Sequence, residues 1–181
     1  YGVLEKLFLG LKLIFRKISL GTEKYSIQFS YDPKINYDIL IVTYCDISDL
    51  KNEKMYDRFF SSYVNKSQNA LWLMINLSSE LHTMRTDENI IFINKNKKNF
   101  FDKLKFYFLL LNNLIFSFFT KNDLFFKDNL TNLVTTKVEN ILKEQNVKKL
   151  IMPFESQPLQ HAIIKKVKDI NEKIETIGYL H

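Results

Sequence analysis

Short apolar runs of strand character alternate along this chain with longer stretches whose apolar residues recur at helical spacing. That alternation narrows the possible folds more than any other feature. Asp38–Tyr44 (DILIVTY), Ala70–Leu77 (ALWLMINL), Asn89–Asn94 (NIIFIN), Lys149–Phe154 (KLIMPF) and Ile174–Tyr179 (IETIGY) are β-branched or apolar segments of strand length. Asp38–Tyr44 follows the turn residues Asp32, Pro33 and Asn36, as a buried parallel strand would. Between the apolar runs, Met55, Tyr56, Phe59, Phe60, Tyr63 and Val64 recur at helical spacing, which predicts a helix there. Further helices are expected over Phe100–Phe119, over Asn129–Gln145 with its stripe of Leu130, Leu133, Val134, Val138, Ile141 and Leu142, and around Leu159, Ala162, Ile163, Val167 and Ile170. Strand and helix in this order predict an α/β fold, a Rossmann-like parallel sheet with helices on both faces.

Size and composition agree with one such domain. With 181 residues, 46% of them hydrophobic and 25% charged, the chain can bury a single sizeable core and is neither a disordered tail nor a disulfide scaffold. The expected organisation is an amino-terminal amphipathic helical segment over 1–30, followed by the Rossmann-like domain over 31–181. The first residue is Tyr rather than Met and the chain stops at His181, directly after an apolar stretch. This predicts a piece of a longer protein, truncated before a second domain.

Charge and cysteine content exclude several functions. The chain carries 26 basic and 20 acidic residues. Only Arg16, Arg58 and Arg85 are arginines, and the lysines are spread among acids from Lys6 to Lys173. A nucleic-acid surface clusters its charge and favours Arg for bidentate contacts, so no nucleic-acid partner is expected. Cys45 is the single cysteine, and His82, His161 and His181 lie far apart, so neither a disulfide nor a metal centre is expected. Neither GxGxxG nor a P-loop pattern occurs, which disfavours those nucleotide cradles.

Two apolar stretches bear on membranes. Tyr1–Leu20 interleaves Leu4, Leu7, Phe8, Leu11, Ile14, Phe15 and Ile18 with Lys6, Lys12, Arg16 and Lys17. It reads either as a helix packed on the domain or as a basic helix on a membrane surface. Phe106–Phe119 is more apolar, but a spanning helix needs about 20 apolar residues, so a buried or interfacial helix is expected. The localisation these features predict is cytoplasmic, with a peripheral contact at the inner face of the plasma membrane as the alternative for the first segment.

Open parallel sheets bind ligands at the carboxyl ends of their strands, so the loops there are the places to look for chemistry. After the first apolar strand come Asp46 and Ser48, short polar residues suited either to ligand contact or to capping a turn. After KLIMPF comes the most informative stretch, Met152–His161 (MPFESQPLQH). Pro158 suits the first turn of a helix, which places Glu155 at a strand's carboxyl end beside a helix N-terminus. There an ionised carboxylate is favoured and can take a proton from a substrate hydroxyl. The competing reading is that Glu155 merely completes the helix cap with Ser156 or Gln157. His161 falls one turn into the helix, where it serves either structure or ligand contact.

The stretch IMPFESQPLQHAIIKKVKDINEKIETIGYLH resembles the segment near the domain junction of bacterial surface-carbohydrate biosynthesis proteins, the capsule and lipopolysaccharide glycosyltransferases of GT-B type. The features carrying the resemblance are Phe154, Glu155, Gln157 and Pro158, then Ile177, Gly178, Tyr179 and His181. The earlier DILIVTYCDIS, with Phe59, Phe60, Tyr63 and ALWLMI, is similar to the amino-terminal half of such proteins. The resemblance implies the acceptor-side half of a two-domain transferase that moves a sugar from a nucleotide-sugar donor to a surface glycan. No resident cofactor is implied; the nucleotide sugar is a co-substrate, held mostly by a missing carboxy-terminal domain. Glu155 is then the candidate catalytic residue, and Asp46, Ser48, Gln157, His161 and His181 are candidate substrate contacts. The alternative is a noncatalytic Rossmann-like module for a small ligand or a protein.

Overall fold

A computed structural model describes residue 12 and residues 23–46, 50–51, 54–57, 62–63, 69–76, 89–96, 99–119 and 129–179. Contacts divide the chain into two compact units, Tyr25–Lys95 with Leu133–His181, and Tyr1–Lys24 with Asn96–Asn132.

The larger unit is built on a six-stranded sheet. Its strands are β1 (Tyr25–Ser30), β2 (Ile39–Cys45), β6 (Ala70–Asn76), β7 (Ile90–Lys95), β8 (Lys149–Pro153) and β9 (Glu175–Tyr179), arranged β1-β7-β6-β2-β8-β9. All pairings are parallel except the edge pair β1–β7, which is antiparallel from Tyr25↔Lys95 to Ser30↔Ile90. The protein is therefore an α/β fold with a mostly parallel mixed sheet, Rossmann-like in character. The five strands read as apolar runs are all present. The central β6 is buried at every position, which is why its sequence is apolar throughout rather than alternating.

Side chains on the two faces of the sheet form separate layers. Ile41, Cys45, Ala70, Trp72, Met74, Ile90 and Phe92 pack as one cluster, flanked by Ile39 and Ile151. The intervening positions, among them Val42, Ile75 and Met152, face the helix α3 (Pro158–Ile170) through Leu159 and Ile163. Helix α2 (Asn129–Glu144) buries Val134, Val138 and Ile141, three members of its predicted stripe. It is joined to α3 by an ion pair between Glu139 and Lys166 at 3.0 Å. Burying a Val, Leu or Ile side chain fully contributes about 1.5–3 kcal/mol each, so these stripes dominate helix docking.

Three expectations need correction. Tyr25–Ser30 lie within the stretch 1–30 expected to be helical, yet they form the antiparallel edge strand β1. A helix is expected over 55–64, of which Phe59, Phe60 and Val64 lie outside the described residues. Instead β3 (Leu50–Lys51), β4 (Lys54–Asp57) and β5 (Ser62–Tyr63) form an antiparallel set, with Leu50↔Met55 and Tyr56↔Tyr63 in register. Tyr, Phe and Val favour strands, and five such residues in ten positions fit either period. Helix α1 (Phe100–Phe119) forms as expected, but of the two readings of its most apolar window, buried or interfacial, the buried one fails, since Tyr107, Phe108 and Leu111 there are exposed. Apolar residues encircle this helix, so one face cannot contain them all.

In the smaller unit, Asn99 and Asp102 cap the start of α1 reciprocally. Asp102 N–H donates to Asn99 Oδ1 at 2.9 Å, and Asn99 N–H donates to Asp102 Oδ2 at 3.2 Å. Lys24 bridges Asp102 at 2.6 Å and holds its carboxyl below the usual range. Of the proposed Tyr1–Leu20 helix only Lys12 lies within the described residues, and it is helical. Among the described residues no helix is long and apolar enough to cross a membrane.

Candidate functional site

The order of the parallel strands fixes where a ligand has access. From β2 the chain adds β6 and then β7 on one side, before returning to add β8 and β9 on the other. The switch therefore falls between β2 and β8, and in open α/β sheets the crevice beyond the carboxyl ends at such a switch is the usual binding place. Here the crevice is visible in the pairing. β2 and β8 are in register only from Ile39↔Lys149 to Ile41↔Ile151. The β2–β6 ladder continues to Cys45↔Asn76, and β8–β9 continues to Pro153↔Tyr179. Past Ile41 and Ile151 the two central strands part.

Two loops flank this opening. From β2 come Tyr44 and then Asp46, which is half-buried just beyond the strand end. From β8 comes the turn Phe154–Gln157, all exposed except the half-buried Phe154. The phenol of Tyr44 reaches Gln157 Oε1 at 3.5 Å, and Gln157 Nε2 donates to Glu155 Oε2 at 2.8 Å. A polar chain thus runs from the end of β2 to the Glu155 carboxylate. Ser156 Oγ lies 3.1 Å from His161 Nε2, and the imidazole packs edge-on against Phe154.

Gln160 holds this turn in shape. It is 3% exposed, and its Oε1 accepts from the N–H groups of both Glu155 and Gln157 at 2.9 Å, while its Nε2 donates to the Pro153 carbonyl at 2.8 Å. The cap of α3 is therefore Gln157 with Gln160, followed by Pro158 in the first turn. The Glu155 carboxylate takes no part in this cap; it accepts from Gln157 Nε2 and stands exposed beyond the strand's carboxyl end. The cap also means that a helix N-terminus able to bind an anion has two of its nearby N–H groups already engaged by a side chain. Ser156 adopts φ 58°, a left-handed conformation uncommon outside glycine, so the turn is held against a local backbone preference.

Beneath the turn is a narrow cavity of ≈ 10 Å³ bordered by Thr43, Tyr44, Met152, Pro153 and Gln160. That is room for about one water molecule, so any larger ligand group must lie across its mouth. Thr43 is buried, and its Oγ1 has no hydrogen-bond partner among the described residues. The strand ends on the far side of β2 are closed instead: Asn76 and Asn94 are buried and paired at 2.9 Å. At the sheet's opposite rim the polar groups are also structural. Buried Tyr37 donates its N–H to Gln145 and its hydroxyl to Asn89 Oδ1 at 3.0 Å, and burial pushes its phenol pKa up. The carboxyl rim by β8 is where exposed, reactive side chains gather.

The turn after β8 and the end of β9 are neighbours. Phe154 N–H donates to the Tyr179 carbonyl at 2.7 Å, and Gly178 lies directly under Phe154, where an added Cβ would come within 3.0 Å of the Phe154 Cβ. Phe154–Pro158 and Ile177–Tyr179, far apart in sequence, therefore meet at one rim. Of the residues expected in a site, Glu155, Gln157 and His161 are brought together, and Asp46 sits at the end of the adjacent strand. Ser48 and His181 lie outside the described residues. Sequence reasoning did not assign Tyr44, Ser156 or Gln160 to the site. The Gln157-x-x-Gln160 spacing of a capping box was the available signal for Gln160. Among the described residues no group of three His, Cys, Asp or Glu side chains is placed to hold a metal ion. Compared with known proteins, the chain matches no family model, no curated protein and no solved structure.

Proposed function

We propose that this chain is the acceptor-side domain of a GT-B-type glycosyltransferase, moving a sugar from a nucleotide-sugar donor to a surface polysaccharide or lipopolysaccharide. The observation that carries the reading is the exposed Glu155 carboxylate, held by Gln157 beside the crevice where β2 and β8 part. The junction of Phe154–Pro158 with Ile177–Tyr179 supports it, since these are the two stretches in which the sequence resembles that family. So does the engagement of the Glu155 and Gln157 N–H groups, just before α3, by Gln160, which leaves the donor's diphosphate to be held elsewhere.

In this reading the acceptor hydroxyl lies across the crevice mouth and gives its proton to Glu155. Its oxygen forms the new bond to the anomeric carbon, the bond from that carbon to the diphosphate breaks, and the nucleoside diphosphate leaves with the electron pair. Gln157 orients the carboxylate, while Ser156 and His161 offer further contacts to acceptor hydroxyls. The donor sits on a second domain following His181, with helices on both faces of the present sheet completing the fold. In the longer protein, Glu155→Gln should lower turnover by about 10²-fold or more while leaving thermal unfolding unchanged. Unchanged turnover would remove Glu155 from the mechanism.

The small size of the cavity favours a second reading, a noncatalytic module that binds a ligand or protein at its rim. The residues following His181 separate the two readings. A donor-binding domain there agrees with transfer, and a chain ending without one agrees with the module.

A further inference from the structure

One face of α1 is apolar and turned to solvent. Phe100, Phe101, Leu104, Tyr107, Phe108 and Leu111 are each 55–75% exposed, and their spacing places them along one stripe of the helix. Scattered apolar residues are ordinary on a protein surface, but six large ones in a continuous stripe mark a binding surface.

The surrounding charge identifies the occupant. Beside the stripe α1 carries Lys103 and Lys105, both exposed, and Asp102 as its single acid. That acid is engaged, capping α1 and bridging Lys24. We infer that this face of α1 docks on an anionic lipid bilayer, with Phe and Leu side chains entering the interface and lysines meeting the headgroups. Aromatic and leucine residues beside lysines are the make-up of helices that lie in a membrane interface. Tyr107 carries its hydroxyl at the end of an apolar ring, as interfacial aromatics do. Two copies meeting through this face would instead bring two lysine pairs together without acidic partners, which is unfavourable. This inference does not depend on the sugar-transfer reading, and it concerns a different segment of the chain from Tyr1–Leu20.

The test uses the full chain and co-sedimentation with two kinds of vesicle, phosphatidylcholine alone and phosphatidylcholine mixed with phosphatidylglycerol. The chain should bind the mixed vesicles about tenfold more tightly or better, and added salt should weaken that binding. Combined Phe101→Ser, Leu104→Ser and Phe108→Ser should lower binding by about tenfold or more with circular dichroism unchanged, because all three side chains are already exposed. Should that variant misfold, Lys103→Glu with Lys105→Glu carries the test and should abolish the preference for anionic vesicles. Binding to the mixed vesicles that neither variant weakens would overturn the inference, as would failure of the parent chain to bind them. A lipid-free dimer that the triple serine variant converts to monomer would overturn it in favour of a second copy.

Discussion

Gln160 illustrates how much a single buried amide can determine. It joins three backbone groups, those of Pro153, Glu155 and Gln157, that neither the sheet nor the helix ladder satisfies. A buried polar group left unpaired costs about 1–3 kcal/mol, whereas an exposed one is re-solvated. Gln160→Ala should therefore lower stability by about 2–3 kcal/mol in urea unfolding. Gln157→Ala, at an exposed position in the same turn, should shift it by no more than about 0.5 kcal/mol. Equal effects of the two would show that the loop is not held through Gln160. The sequence made the position of Glu155 legible, because an apolar strand followed by Ser-Gln-Pro can only be a strand end meeting a helix start. The left-handed Ser156 was not legible. Serine carries no signal for that conformation, which stands between the two N–H groups that Gln160 accepts from.

At the scale of elements, burial decided what could be read. The strands β2, β6, β7 and β8 announce themselves because they lie inside the sheet, and the helices α2 and α3 because each buries one stripe; β9, a mostly exposed edge strand, shows instead in its short β-branched run. The edge strand β1 and the short strands β3–β5 lack that signature, being one-sided or too brief for a period to show. The pairing of β8 with β9 has a consequence for the site. Phe154 rests on Gly178, so the side chain missing from β9 sets how close the turn lies to the sheet. Gly178→Ala should push Phe154 and the adjoining Glu155 outward. The expected cost is about 1–3 kcal/mol, read by urea unfolding, as for other added methyl groups in tight contacts. Stability equal to the parent would mean that Phe154 moves aside freely.

For the whole molecule, both compact units contain a carboxylate whose pKa is lowered by neighbouring lysine. Asp102 lies in the smaller unit, where a hydrogen bond from Lys24 lowers its pKa. Glu139 lies in the larger unit, where hydrogen bonds from Lys143 and Lys166 do the same. A carboxyl whose pKa is lower in the folded state binds fewer protons there than when unfolded. Its stabilising contribution is complete above the ordinary carboxylate range and is lost as pH falls through the lowered folded value. Lys137 acts in another window. Its ammonium lies 4.4 Å from the centre of the Phe29 ring and burial pushes its pKa down, so its titration affects stability only at alkaline pH. The fluorescence of Trp72, the single tryptophan, buried in β6, reports on the larger unit alone. Glu139→Gln should lower the melting temperature seen by this probe at neutral pH. The gap to the parent should close on acidification, because the parent then loses the interaction that the variant never had. A gap of constant size from neutral to acid pH would show that the lysines around Glu139 contribute nothing that depends on its charge.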